Sequence, residues 1–173
     1  MEHQIKYCSM PERELPVLQN VDILVAGATL GGVSAAVKAA EMGAKVFVVG
    51  YLPYMGEDIC GTYKYLFEES GETQNPGDYG NHPLLDKVFP DKNRTPFTVK
   101  KALEDELIDH NIDFLYSSYI TEVLFDDQGE PAGVVLANRS GQQVIRSKVI
   151  IDATRGAYVA GLAGAGFQEE KAG

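Results

Sequence analysis

The sequence predicts an α/β fold, a parallel sheet with an antiparallel three-stranded β-meander inserted into it. Three observations carry this. Two short β-branched runs, residues 21–26 and 44–49, flank a stretch with small and apolar residues at helical spacing, 33–42. Such a strand–helix–strand order gives parallel neighbours. Three glycines, Gly27, Gly31 and Gly32, stand where the first strand meets the helix. Farther on, residues 120–125, 132–137 and 143–146 are strand-like runs joined by turn sequences, Asp-Asp-Gln-Gly and Arg-Ser-Gly. Turns that short require antiparallel pairing.

The first strand, with Val21, Ile23, Leu24, Val25 and Ala26, is apolar on both faces, as a strand inside a covered parallel sheet must be. A strand that turns sharply into a helix gathers free backbone N–H groups at the positive end of the helix dipole. A pyrophosphate can sit there if no side chain blocks it. Gly27 allows the tight turn, and Gly32 lets the helix lie close to the strand. Ala35, Ala36, Ala39 and Gly43 keep one helix face thin. The plainer reading is a generic buried unit whose glycines serve packing alone. The strand–turn–helix context favours a Rossmann-like dinucleotide site.

Two positions depart from the usual G-x-G-x-x-G chemistry. Thr29 occupies the middle glycine position, adding bulk near the phosphates and a hydroxyl that could donate to one of them. Gly50 ends the second strand, where an acidic residue ordinarily binds the adenosine ribose. The nearest carboxylates downstream are Glu57 and Asp58, and no Lys or Arg stands ready for a 2′-phosphate.

The 173 residues are enough for one domain with a sizeable core. A net charge of −10 argues against nucleic acid and anionic membrane surfaces as partners. An anionic ligand must therefore be held by local N–H dipoles. No apolar run is long enough to span a bilayer, and the charged N-terminus is no secretory signal, so a reducing, cytoplasmic location is expected. Cys8 and Cys60, with His3, His82 and His110, show no disulfide or metal spacing, and no metal site is expected. Cys60 reads as a buried free thiol.

Residues 1–20 form a polar lead-in before a domain spanning 21–173. Residues 51–61 read as a loop, 62–69 as a short helix, and 70–94 as a long polar loop that covers a site or meets a partner. Thr95-Pro96 signals a helix start, and Asn111 its end. Residues 112–116 are a third parallel strand, the meander occupies 119–146, and 148–153 is a fourth, buried strand. The Gly/Ala-rich segment 154–166 is read as a short helix.

In this order, VDILVAGATLGG (21–32), GAKVFVVG (43–50), the meander and VIIDATRGAYVAGLAGAGF (149–167) make the chain resemble FAD-dependent oxidoreductases with a glutathione-reductase-like FAD-binding domain. The resemblance implies FAD as cofactor, with Gly27, Thr29, Leu30, Gly31 and Gly32 lining the pyrophosphate. It places Gly50 and Tyr51 beside the adenosine ribose, Ile120 by the adenine, and Ala153 and Thr154 closing the pocket. Gly56, Glu57 and Asp58 fall in a loop that approaches the cofactor, and Arg155 pairs with a phosphate or is a solvated charge. Arg155 and Gly156 depart from the family's glycine and aspartate. The resemblance also implies that this is the N-terminal portion of a larger enzyme. A C-terminal substrate domain or partner chain would then hold the flavin ring, choose a small-molecule substrate and carry the catalytic residues, which stay unknown. Two alternatives stand beside it. One is a non-catalytic scaffold or subunit with a decayed cofactor site. The other is an NAD(P)-binding short-chain-dehydrogenase-like protein, against which the meander and the missing Tyr-x-x-x-Lys pair count.

Overall fold

The computed structural model describes residues 12–62, 83–88 and 95–168. The expected helix from 63 onward, most of the long polar loop, Cys8, His3 and His82 lie outside the described residues. The chain runs through β1 (Val17–Ala26), α1 (Leu30–Glu41), β2 (Val46–Val49), α2 (Glu57–Cys60), α3 (Pro83–Val88) and α4 (Pro96–Asp109). It continues as β3 (Asp113–Leu115), β4 (Tyr119–Phe125), β5 (Pro131–Asn138), β6 (Gly141–Asp152) and α5 (Tyr158–Leu162). All six strands join one sheet in the order β3-β2-β1-β6-β5-β4. β1 lies inside it, parallel to β2 on one side and to β6 on the other.

Alternation along the strands divides the core in two. Val25, Val46 and Val48 point to one face and meet Val33 and Ala36 of α1 with Val99, Leu103 and Leu107 of α4. Leu24, Ala26, Phe47 and Val49 point to the other and pack with Ile120, Val134, Leu136 and Ile145. The antiparallel strands, with Val159 and Leu162 near the C-terminal end, complete the cluster on the face opposite α1 and α4, and the inner ends of β1 and β2 are covered on both sides, as expected.

The meander exists, but two of the expected strands are one. Residues 143–146 and all but the last of 148–153 fall within a continuous β6 that changes partners along its length. Its first half pairs antiparallel with β5, from Asn138↔Gly141 to Gly133↔Arg146. It also runs parallel to β1 from Val17↔Val144 to Ala26↔Asp152. The polar Arg146-Ser147-Lys148 sequence reads as a break, yet Arg146 and Lys148 are exposed and the strand carries them without cost. Lys148 pairs with Asp22 at 2.7 Å. The end of β6 is not buried as expected: Val149 is exposed and Ile150, Ile151 and Asp152 are only half-buried. β1 likewise begins at Val17, inside the expected lead-in, because the start of β6 supplies a partner for residues 17–20.

The helices show smaller differences. α1 starts at Leu30, three residues before the expected helix, with Thr29 as N-cap. Residues 57–60 are a helical turn, not loop, and 83–88 within the expected long loop form α3, whose Leu84 and Val88 bury against the α4 cluster. α4 begins as expected: Thr95 and Thr98 form a reciprocal capping box that spans Pro96.

The closeness of α1 to β1 rests on Gly32. A β-carbon there would lie 2.2 Å from the carbonyl oxygen of Gly27, whereas one on Gly31 would meet nothing nearer than Thr29 Oγ1 at 3.9 Å. Gly32→Ala is expected to cost about 2–3 kcal/mol, the range for overpacking against a part that cannot move. Gly31→Ala is expected to stay within about 0.5 kcal/mol of the parent, as surface changes do. Urea unfolding of the two variants measures the difference.

Candidate functional site

The turn after β1 is drawn against the turn after β6. Gly27 has φ 111°, a conformation open to glycine, and a β-carbon on it would lie 2.5 Å from the Ala153 carbonyl oxygen. The Ala153 N–H donates to Ala26 O at 2.7 Å. Thr29 adds a further tie: its hydroxyl accepts the Gly32 N–H at 2.9 Å and donates to Ala153 O at 3.2 Å. The Thr29 hydroxyl, which could donate to a phosphate, is here engaged with Ala153 O. The side chain folds back as a helix cap and leaves the mouth of the turn open, with Gly31 exposed at its rim.

Beside this turn lies a half-open cavity of about 300 Å³, lined by Gly27, Val49, Tyr51, Ser118, Tyr119, Ile120, Thr154, Arg155 and Tyr158. Five of the sequence-derived site residues thus meet around one space: Gly27, Tyr51, Ile120, Thr154 and Arg155. Tyr51 and Tyr119 flank it, with ring centroids 6.4 Å apart. Ile120 contributes from a strand whose side chain belongs to the core. Thr154 is fixed by Asp152, whose Oδ1 accepts both its N–H at 2.9 Å and its hydroxyl at 2.6 Å. The same carboxylate accepts the Ala160 N–H through Oδ2 at 2.8 Å, and Thr154 Oγ1 accepts the Tyr158 N–H at 2.8 Å. Asp152 thereby sets the shape of the cavity wall, a role that the sequence reading missed. Its signal was there, as the Asp of Asp-Ala-Thr directly before the loop. Tyr119, Ser118 and Tyr158 were missed because nothing local marks a tyrosine or serine as facing a cavity.

The remaining residues stand outside this cavity. Gly50 is buried, with its N–H on Leu115 O at 2.9 Å, and a β-carbon there would lie 2.7 Å from Ala28 Cβ. Gly56, at φ 77°, packs against Leu103 and Val99 of α4. Ala153 works through its backbone. Leu30 and Asp58 meet directly, the Leu30 N–H donating to Asp58 Oδ1 at 3.0 Å.

Glu57 is the anomaly. It is 5% exposed, and both carboxyl oxygens lack a hydrogen-bond partner. Its N–H reaches back to Ala28 O at 3.3 Å, so it rests on the glycine-rich turn. Burial first, and the neighbouring Asp58 second, push its carboxyl up to about 7. Cys60 has a buried thiol that donates to Pro96 O at 3.5 Å, and burial pushes its pKa up as well. That makes it a poor nucleophile. Among the described residues no group of three His, Cys, Asp or Glu side chains could hold a metal ion, and no helix is long and apolar enough to cross a membrane.

The raised Glu57 carboxyl carries a stability consequence. Between the usual carboxylate range and about pH 7 the unfolded chain has released this proton and the folded chain has not. Folding therefore loses stability as pH rises through that window. Glu57→Gln is expected to match the parent near the acid end of the window and to melt higher above pH 7, by about 2–4 °C for each kcal/mol recovered. Thermal melts across the window check this.

Comparison with known proteins agrees with this geometry. A family model for FAD dependent oxidoreductases matches residues 22–173. No curated protein matches the chain. Among solved structures it is similar to a geranylgeranyl bacteriochlorophyll reductase-like protein from Thermoplasma acidophilum, with TM-score 0.61 and 18% identity over 85% of this chain and 42% of that one. It is also similar to THI4 from Thermovibrio ammonificans, with TM-score 0.60 and 14% identity over 83% of this chain and 61% of that one. OxyS anhydrotetracycline hydroxylase from Streptomyces rimosus matches with TM-score 0.56 and 16% identity, covering 88% of this chain and 35% of its own. The chain spans less than two thirds of each. Two covered core faces, the glycine turn packed on Ala153 and the match over residues 22–173 agree, and the chain belongs to the FAD-dependent oxidoreductase family, whose cofactor is FAD.

Proposed function

We propose that this chain is the FAD-binding portion of an oxidoreductase acting on a small molecule, with the adenosine diphosphate half of the cofactor held here. The diphosphate would sit at the mouth of residues 27–32, beside the N–H groups that open α1. The adenosine would lie in the cavity between Tyr51, Ile120, Thr154 and Tyr158. The observation that carries this is the pairing of a turn whose backbone is kept close-packed by Gly27 and Gly32 with a cavity opening directly beside it. Both are what a dinucleotide needs: close backbone approach for the phosphates and a mostly apolar slot for the base. FAD, when bound, supplies the redox chemistry, and the protein supplies binding and orientation.

Arg155 lines the cavity and is exposed, in a chain whose overall charge repels anions. It would offset that field locally. The flavin ring and the substrate would be met by parts beyond the segment described, a C-terminal substrate domain or a partner chain. A second reading, a scaffold with a decayed cofactor site, draws on Gly50, which leaves the ribose without the usual carboxylate.

Titrating the chain with FAD and following flavin fluorescence separates the readings. Weak binding, with Kd of about 10–100 μM, is expected for half a cofactor site. ADP should compete. Arg155→Ala should weaken binding about fivefold, and more at low salt, as loss of a screened charge contact does. If neither FAD nor ADP binds, the scaffold reading stands.

A further inference from the structure

The glycine-rich turn already carries an anion of its own. Asp58 comes from α2, a separate element, and its carboxylate takes the Leu30 N–H at 3.0 Å. Leu30 is the first residue of α1, so this is an orphan amide at the positive end of the helix dipole. A diphosphate seated on the turn would compete for it. Beside Asp58, Glu57 is buried with two unpartnered oxygens. We propose that the Glu57–Asp58 pair is an internal gate on the turn: Asp58 competes with a diphosphate for the Leu30 amide, and cofactor capture displaces it while the pair takes up a proton. The proposal rests on the reading of the turn as a diphosphate site.

The physical case has three parts. Asp58 is exposed, so its carboxylate can swing into water at little cost once displaced. Glu57 is buried and cannot, so an approaching dianion favours its neutral form. The charges around the pair offer no relief. α1 has no acidic or basic group in the turn that meets Asp58. On α4 the nearby cation is Lys100, whose ammonium lies 3.5 Å over the Tyr54 ring and acts on Cys60. Arg155 lines the cavity. With two carboxylates at one end of the turn, a diphosphate meets like charge unless a proton is bound.

FAD titration of the wild-type chain, Asp58→Ala and Asp58→Asn tests the gate, with the Leu30 amide followed by NMR. Both variants are expected to bind FAD about tenfold more tightly than wild type, a factor equivalent to about 1.4 kcal/mol. Asp58→Asn is the safeguard, since it keeps an acceptor for Leu30 while losing the charge. The Leu30 amide should shift in the empty Asp58→Ala chain and converge with wild type once FAD is bound. Wild type should bind more tightly at about pH 6 than at about pH 8, with Glu57→Gln flattening that dependence. Equal or weaker binding by both Asp58 variants, while wild type still binds, would overturn the gate and leave the cofactor reading intact. Absence of FAD binding by all variants would sink the cofactor reading and the gate with it.

Discussion

The structure depends on how closely two turns approach each other. The backbone after β1 meets the backbone after β6 with no room for a side chain between them: a β-carbon on Gly27 would lie 2.5 Å from Ala153 O, and one on Gly32 2.2 Å from Gly27 O. Everything at the candidate site follows from that approach. It aims the start of α1 at the crevice beyond the strand ends, which is where open α/β sheets bind ligands. It places Thr154 and Arg155 on one wall and Gly27 on the floor. It also explains why Ala153 stands where it does, since its carbonyl oxygen serves as acceptor for Thr29 and its small side chain sits near Gly32.

The electrostatics of the site are local by necessity. A chain of net charge −10 offers an anion no attraction at long range, and within a Debye length only a few groups count. Those groups are the amides of the first turn of α1 and the guanidinium of Arg155. Against them stand Asp58, already on one amide, and Glu57 behind it. Groups of both signs therefore stand at the turn. Gly50 fits the same balance. A carboxylate side chain at that position would have to pass Ala28, whose β-carbon lies 2.7 Å from where a β-carbon on residue 50 would be. Its absence follows from packing, and it also spares the site another negative charge.

The parallel half of the fold was legible because its signals are local. β1, α1 and β2 follow from apolar periodicity and glycine placement, and α4 from Thr95-Pro96. What was not legible depends on partners distant in sequence. Residues 17–20 read as polar lead-in because their strand character comes from β6, more than a hundred residues away. The apparent break at Arg146-Ser147-Lys148 vanishes because β1 goes on pairing with β6 across it while the Arg146 and Lys148 side chains stay exposed. At the site, Gly27, Thr154 and Arg155 could be found from motif position. Tyr119 and Tyr158 could not, since only the meander and the short α5 bring them to the cavity.

Thr29 and Asp58 show how one chain can satisfy the same helix end in two different ways. Thr29 caps Gly32 from within the turn, three residues away, and its hydroxyl is also tied to Ala153. It is a fixed part of the fold, and it leaves the approach to the turn clear. Asp58 reaches Leu30 from another element, twenty-eight residues away in sequence, through an exposed side chain. The first arrangement satisfies one amide at the N-terminus of α1 from within the turn itself. The second makes that N-terminus sensitive to where α2 sits. α2 is only four residues long and is held through Gly56 and Glu57 to Ala28 O, so Asp58 and Glu57 share one anchor on the turn. The start of α1 and α2 are thus tied twice, by those backbone hydrogen bonds and by the contact of Asp58 with the Leu30 N–H.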